Sequence, residues 1–266
     1  MTRITFLGTG GGRFATVYQV RNTGGIYLEA EVNIHLDPGP GAVINLNRLG
    51  IDPASTDGVL VSHCHPDHYA DAEVLIEGMT RCNFSRRGLL AGSRSVIDGT
   101  NDHGPAVSAY HRRIVSECLS LKPGECFNVG KLEIQTTPTS HSDIDGIGFR
   151  FMTEEGIISY VSDSELVDEV IDAHKGARVL IMCVTRPLGA RVKFHMSTED
   201  AAALTNYVKP EVAIMTHFGS KFVHEDPEKQ AMYVQEKSGI RTIPAVDFMR
   251  LSMLKGIRKS TAQFQR

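Results

Sequence analysis

The feature that most constrains the fold of this 266-residue chain is the segment SHCHPDH at residues 62–68. It lies at the end of an apolar run for which the pattern predicts a buried strand over Gly58–Ser62. Pro66 cannot continue a strand, so the chain must turn there, and the residues beyond it predict a helix that runs to about Met79. The segment therefore predicts a sharp corner between a strand and a helix, lined with polar side chains.

Three imidazoles and one carboxylate within six residues are donors that a divalent transition metal binds. The corner can direct His63 and His65 at one point, and Asp67 and His68 at a neighbouring point. The alternative is a polar loop whose histidines have no common role. Four donors packed this closely after an apolar strand favour metal binding over that alternative.

A metal site in a hydrolase usually takes further ligands from distant parts of the chain. Three more donors, His141, Asp163 and His217, stand in similar corners, the last two just past predicted strand ends. A single histidine after a strand is more often a surface residue or a satisfied core residue. The position that these three share with the first segment favours ligation instead.

Composition predicts a globular protein and excludes several other classes. The longest apolar run, Val179–Val184, is far shorter than the roughly 18 residues of a membrane span. A net charge of −3 argues against a protein held on nucleic acid by bulk charge. Five cysteines without a Cys-x-x-Cys pair fit reduced thiols, and the N-terminus lacks the layout of a signal peptide. We therefore expect a cytoplasmic location and no membrane partner.

Short strands alternate with helices in both halves of the sequence. This pattern predicts an α/β fold in which two sheets pack face to face and helices lie outside them. No composition shift or low-complexity segment marks a linker. We therefore expect one domain over residues 1–266, with an irregular insertion at about 81–118.

The ordered donors resemble those of the metallo-β-lactamase superfamily. The resemblance also includes the sequences FLGTG at residues 6–10 and DPG at residues 37–39, and it spans almost the whole chain apart from residues 81–118. It implies an αββα four-layer sandwich of two mixed β-sheets flanked by helices. It also implies two divalent metal ions, the first bound by His63, His65 and His141, the second by Asp67, His68 and His217, with Asp163 bridging them.

A second motif resembles the ribonuclease Z branch of that superfamily and its phosphodiesterase relatives. It consists of HMSTEDA at residues 195–201 followed by THFGS at residues 216–220. The resemblance implies that His195 lies close to the scissile phosphate and assists the leaving oxygen. The alternative for His195 is a residue that only enters the helix capped by Ser197. Asp67 and His195 are thus the candidate catalytic residues.

Two ions of this kind can lower the pKa of a shared water and neutralise charge on phosphoryl oxygens. Zinc is favoured by the histidine-rich set, with manganese and iron as alternatives because carboxylates suit them as well. Asp37 is either a residue that orients a ligand histidine or simply a turn former before Pro38. Gly8–Gly12 are either a phosphate-binding turn or a tight strand end.

The expected activity is hydrolysis of a phosphodiester, either RNA or a small nucleotide. A metal-dependent hydrolase of lactones, esters or thioesters is the alternative, and a non-catalytic binding protein is a third reading that the complete ligand set disfavours. The arginines between Arg81 and Arg113 can contact phosphates or form a solvated surface. The protruding Gly/Pro-rich arm of the ribonuclease Z group has no clear counterpart here. A homodimer is a further expectation from the resemblance.

Overall fold

A computed structural model describes residues 1–254 and 256–261 of the chain. Its strands, in chain order, are β1 (Arg3–Phe6), β2 (Ile26–Glu29), β3 (Asn33–Leu36), β4 (Gly58–Val61), β5 (Leu89–Ser93), β6 (Glu117–Leu121), β7 (Cys126–Val129), β8 (Leu132–Pro138), β9 (Ile147–Thr153), β10 (Gly156–Val161), β11 (Val179–Arg186), β12 (Met196–Ser197), β13 (Val212–Thr216), β14 (Thr242–Pro244), β15 (Met249–Leu254) and β16 (Gly256–Thr261).

The α-helices are shorter and lie mostly between strands. They are α1 (Gly12–Tyr18), α2 (Ala42–Arg48), α3 (Pro66–Tyr69), α4 (Ala72–Met79), α5 (Arg94–Ile97), α6 (Ala109–Ile114), α7 (Asp168–Ala173), α8 (Thr198–Val208), α9 (Ser220–His224) and α10 (Pro227–Ser238). Within the described residues, no helix has the length and apolar character that a membrane crossing requires.

The strands form two mixed sheets. The first has the order β16-β15-β1-β2-β3-β4-β5-β6, and the second has the order β14-β13-β11-β10-β9-β8-β7, with β12 paired to β11. Strands β3 to β6 are parallel to one another, as are β10, β11, β13 and β14. Their carboxyl ends place the residues that follow them along one edge of each sheet.

The two sheets pack face to face and carry helices on their outer faces. One buried cluster joins inward side chains of both sheets, such as Phe6 and Phe149. A second cluster joins the outer face of the first sheet to α4, and a third joins the outer face of the second sheet to α8 and α10. Alternate strand residues face opposite sides, and central strands such as β4 and β11 are buried on both faces, whereas the edge strand β7 alternates between exposed and buried residues. The αββα sandwich expected from the sequence is confirmed.

Local sequence explains the helices that line these outer layers. Helix α4 buries Ala72, Leu75, Ile76 and Met79, which recur at the spacing of one helical face. Helix α8 begins at a capping box in which the Ser197 hydroxyl accepts from the Asp200 N–H and the Asp200 carboxylate accepts from the Ser197 N–H.

The segment at about 81–118 differs from the irregular insertion expected from the sequence. It contains β5, α5, α6 and β6, and the two strands extend the first sheet in parallel beyond β4. Strand β5 has the sequence LLAGS, all of it buried. Alanine, glycine and serine have weak β propensity, so packing against the neighbouring strand, rather than intrinsic preference, fixes this strand.

Candidate metal centre

The seven predicted ligands converge on one edge of the sandwich. Strand β4 ends before His63, and Pro66 begins the short helix α3, so the corner expected from the sequence is present. The other donors follow β8, β10 and β13, whose carboxyl ends reach the same edge as that of β4. The structure therefore brings together side chains that are up to 154 positions apart in sequence (63 to 217).

A first group consists of three histidines. His65 Nδ1 lies 2.9 Å from His63 Nε2 and 3.2 Å from His141 Nε2. Ligands bound tetrahedrally to zinc at about 2.0–2.1 Å lie about 3.3 Å from one another. The three ring nitrogens thus have nearly the mutual spacing that one cation requires.

A second group lies beside the first and includes a carboxylate. His217 Nε2 lies 3.0 Å from His68 Nε2 and 3.2 Å from Asp67 Oδ2. The backbone N–H of Gly12 donates to the same Asp67 oxygen at 2.7 Å, which fixes the carboxylate at the start of α1. Two imidazole nitrogens 3.0 Å apart are directed at the same position, which holds either a proton or a cation that accepts their lone pairs.

Asp163 is close to both groups: its carboxylate lies within 4.8 Å of donor atoms of His63 and His141 in the first group, and of His68 and His217 in the second. Its Oδ1 lies 3.1 Å from His217 Nδ1, and its Oδ2 lies 3.9 Å from His68 Nε2. Oδ1 is buried and accepts no hydrogen bond from any described residue. A buried carboxylate oxygen without a donor is costly unless a cation satisfies it.

The outer nitrogens of the histidines are held by hydrogen-bonding groups. Nδ1 of His63 lies 3.0 Å from Ser62 Oγ, Nδ1 of His141 lies 2.8 Å from the Phe194 carbonyl oxygen, and Nδ1 of His68 lies 2.9 Å from Asp37 Oδ2. These contacts leave Nε2 of each ring facing the centre. Partners of this kind fix the tautomer and orientation of metal-binding histidines.

Asp37 is the hub of the buried network behind His68. Its carboxylate accepts hydrogen bonds from the Ser62 N–H at 2.7 Å, the Ser62 hydroxyl at 2.8 Å and the Tyr160 hydroxyl at 2.7 Å, in addition to its contact with His68. Of the two sequence interpretations of Asp37, the geometry matches the one in which this side chain orients a histidine.

The electrostatics differ between the two groups. Burial lowers the pKa of His63 well below its usual value, and neighbouring histidines lower it further; burial also lowers the pKa of His65 and of His141. Neutral imidazoles are the form that binds metal. Burial opposes the charge on His68, but Asp37 and Asp67 outweigh it and raise the pKa of His68 to about 10.

The carboxylates of the centre are charged. Burial raises the pKa of Asp67, but His68 and His217 outweigh that effect, and the pKa is well below its usual value; the pKa of Asp163 is lowered in the same way by His217 and His68. Among the ion pairs of the described residues, none joins a lysine or arginine to these carboxylates or to Asp37. The surplus of buried negative charge fits divalent cations in place of the proton on His68.

A close backbone approach completes the second group. His217 has the left-handed backbone conformation, with φ at +60°. A Cβ atom on Gly11 would lie 2.1 Å from Cδ2 of the His217 ring, so only glycine fits there. The glycines at residues 8–12 therefore serve at least the packing of His217.

His195 lies at the open side of the centre. Its Nε2 is 3.6 Å from Asp163 Oδ2, its ring centroid is 5.0 Å from that of His141, and its side chain is 26% exposed. The preceding residue, Phe194, has φ at +69°, and its backbone N–H donates to Glu165 Oε1 at 2.7 Å. The same loop thus presents His195 and orients His141.

Two residues near the centre, Cys183 and Glu165, are not predicted from the sequence. The Cys183 thiol lies within 4.8 Å of donor atoms of Asp163 and His217. Its sequence position gives no sign of such a role, because it lies within the apolar run of β11. Burial raises the pKa of its thiol well above the usual value, and the Asp163 charge adds to this. The only sequence feature that points to Glu165 is its position two residues after the predicted ligand Asp163.

Comparison with known proteins gives a consistent result. The family model described as a beta-lactamase superfamily domain matches residues 32–218, a range that contains the seven candidate ligands and His195. An uncharacterized protein of Methanocaldococcus jannaschii is 40% identical over 256 residues, which cover 95% of this chain and 96% of that protein. Ribonuclease Z of Mycobacterium bovis is 26% identical over 210 residues, which cover 69% of this chain and 74% of that enzyme.

A solved structure supports the fold. The metallo-β-lactamase fold protein YhfI from Bacillus subtilis aligns with a TM-score of 0.78 at 19% identity, over 95% of this chain and 100% of that one. At this level of identity the likeness concerns the architecture alone.

Proposed function

The chain belongs to the metallo-β-lactamase superfamily, near ribonuclease Z, and from this premise we propose that it is a phosphodiesterase that uses two divalent metal ions, with zinc favoured. The observation that carries the proposal is the pair of three-donor groups on either side of Asp163. A single group would fit a mononuclear centre. Two groups that share a carboxylate fit a dinuclear one, because each carboxylate oxygen can bind a different ion.

Each of the two groups would bind one ion. His63, His65 and His141 offer three neutral nitrogens to one ion. The second group, Asp67, His68 and His217, offers a carboxylate and two nitrogens, one of which must give up a proton first. Two bound ions would supply a water of lowered pKa and offset the negative charge that builds on phosphoryl oxygens.

His195 is the residue placed to move a proton. It is more exposed than the ligands beside it, so a substrate can reach its Nε2, and its 3.6 Å separation from Asp163 Oδ2 keeps the imidazole on the open side of the centre. We assign to His195 the donation of a proton from Nε2 to the leaving oxygen. Asp67 also belongs to the catalytic set, because its carboxylate would help to hold the second ion, which would supply the activated water.

The substrate class rests on the relatives. Ribonuclease Z is a relative over 69% of this chain, and its name denotes action on RNA, which is a phosphodiester. Hydrolysis of a lactone, ester or thioester is the competing activity within the superfamily. The two activities differ in the charge of the reacting group, since a phosphodiester is an anion and a lactone is neutral.

The test compares these substrates on zinc-loaded protein. We expect turnover of bis(4-nitrophenyl) phosphate to exceed turnover across a panel of lactones and thioesters. For a dinucleoside monophosphate, whose leaving alkoxide needs a proton, the variant His195→Ala should lower kcat about 100-fold, in line with loss of a general acid. The loss should be smaller for bis(4-nitrophenyl) phosphate, whose nitrophenolate leaves without a proton, and zinc content should stay unchanged. His224→Ala, an exposed histidine on α9, is the matched control.

The outcomes separate the possible roles. Turnover of lactones without phosphodiester turnover would overturn the proposed substrate class. Loss of zinc from His195→Ala would make His195 a ligand, as its proximity to His141 and Asp163 allows. Unchanged turnover of the dinucleoside monophosphate by His195→Ala would mean that His195 has no part in the mechanism.

A further inference from the structure

A recess of about 640 Å³ opens beside the first histidine group. One wall is formed by Arg94 at the start of α5 and by residues 98–103, and the other by residues 142–145. His65 lies at the boundary between this recess and the metal centre. Its volume falls within the range of about 300–1,000 Å³ that small-molecule sites occupy in proteins.

The floor of the recess is already held in place. Asp143 Oδ2 accepts a hydrogen bond from the Cys64 N–H at 3.0 Å, and Asp143 Oδ1 accepts one from the Asp145 N–H at 3.1 Å. These bonds tie the loop after His141 to the residue between His63 and His65. This wall of the recess is therefore tied to the segment that carries His63 and His65.

Three charged side chains of the recess have no partner within it. Arg94 is exposed, and no described residue forms an ion pair or side-chain hydrogen bond with it; the same holds for the carboxylates of Asp102 and Asp145. Asp98, by contrast, accepts from the Ser120 hydroxyl. The free groups are thus two acceptors with negative charge and one guanidinium donor.

This lining selects against a chain of phosphates. The charged residues that line the recess are four aspartates and one arginine, a balance that disfavours a chain of phosphates. A neutral group with N–H donors and carbonyl or ring-nitrogen acceptors satisfies both carboxylate and guanidinium. Guanine is such a group, since arginine pairs with its O6 and N7 and its amino group donates.

We propose that the recess binds the base and sugar of a single nucleotide, guanine-containing by preference, whose phosphodiester reacts at the metal centre. The substrate is then a compact nucleotide diester rather than an RNA strand. The inference rests on the proposed phosphodiesterase function and narrows it. In the reaction the water oxygen forms the new bond to phosphorus, the bond from phosphorus to the leaving oxygen breaks, and that oxygen takes up a proton.

The experiment compares two chromogenic diesters on the zinc-loaded protein. The measured quantity is the ratio of kcat/KM for the 4-nitrophenyl ester of guanosine 5′-phosphate to kcat/KM for bis(4-nitrophenyl) phosphate. We expect this ratio to be at least tenfold in the natural protein and to fall about tenfold in Arg94→Ala. The control is Arg113→Ala, an exposed arginine of the same segment that does not line the recess, and it should leave the ratio unchanged.

Failure of the inference is distinguishable from failure of the proposed function. If bis(4-nitrophenyl) phosphate and the nucleotide ester are both inert, the phosphodiesterase proposal fails and this inference fails with it. If the first ester is hydrolysed and the guanosine ester has no advantage, or Arg94→Ala keeps the ratio, only the inference is overturned. A single-stranded RNA that inhibits at lower concentration than guanosine 5′-monophosphate also overturns it, in favour of a strand-binding enzyme.

Discussion

Glu165 accepts on Oε1 a hydrogen bond of 2.7 Å from the backbone N–H of Phe194. The carbonyl oxygen of the same Phe194 lies 2.8 Å from His141 Nδ1, and the next residue is His195. The Glu165 N–H also donates to the Ser140 carbonyl, next to His141. Glu165 thus ties together, through its side chain and its backbone N–H, the loops that carry a candidate ligand and the candidate proton donor.

We expect Glu165→Ala to lower kcat/KM about tenfold, because a small displacement of the Phe194 loop misplaces His195. Glu165→Gln keeps an acceptor oxygen for the Phe194 N–H and should restore most of the activity. Steady-state kinetics together with zinc analysis check this. Equal losses in the two variants would show that the charge of Glu165, rather than its hydrogen bond, is what matters.

Asp37→Asn tests the network behind His68. The substitution keeps the shape of the side chain but removes the charge next to Nδ1 and turns one acceptor atom into a donor. We expect the affinity of the weaker-bound zinc to fall about 10- to 100-fold, the usual effect of losing a partner of a metal-binding histidine. Competition with a chelating dye measures it, and unchanged affinity for both ions would place Asp37 outside the metal site.

Gly11→Ala tests the packing of the His217 ring. The added Cβ would lie 2.1 Å from that ring, so His217 must move out of the second group. We expect this variant to lose about one zinc ion and most of its activity. The thermal midpoint of the metal-free protein should be affected less than zinc binding is. Gly256→Ala is the control, because a Cβ there meets no atom within 4 Å. Normal zinc binding by Gly11→Ala would contradict the position of His217.

His174 makes the stability of the protein sensitive to acid. The residue is buried, its Nδ1 lies 2.6 Å from Ser159 Oγ, and its Nε2 has no partner among the described residues. Burial lowers its pKa to about 3, and the charge of Arg150 adds to this. The unfolded chain, with a pKa near 6.5, therefore binds a proton first as the pH falls.

The resulting stabilisation is complete above pH 6.5 and is lost as the pH falls towards about 3. Between pH 7.5 and 4.5 the natural protein should lose about 2.7 kcal/mol more unfolding free energy than His174→Gln, which cannot titrate. Urea unfolding at both pH values, with His224→Gln as the exposed control, measures the difference. Identical losses in the two proteins would mean that folding does not lower the pKa of His174.

The sequence was sufficient for the parts of the molecule that obey local rules. The strand predicted over Gly58–Ser62 is present at Gly58–Val61, and a helix begins at Pro66 as expected. The donors could be found because they follow predicted strands. The topology of the two sheets brings the ends of these strands to a common edge. The αββα architecture followed from the same alternation.

Other parts depend on contacts that no local pattern contains. Strand β5 lacks residues of high β propensity and is fixed by its neighbours in the sheet. The bond between Glu165 and Phe194 joins residues 29 positions apart, and it requires a left-handed conformation at a phenylalanine. The recess beside His65 likewise arises from two loops that are remote in sequence and become neighbours only in the folded chain.

Zinc content per chain tests the dinuclear centre most directly. Elemental analysis of zinc-replete natural protein and of Asp163→Ala, prepared side by side, should give about two ions for the first and about one or none for the second. The expectation follows because the Asp163 carboxylate lies within 4.8 Å of donor atoms from both groups. One ion or none in the natural protein, or two retained ions in the variant, would contradict the account.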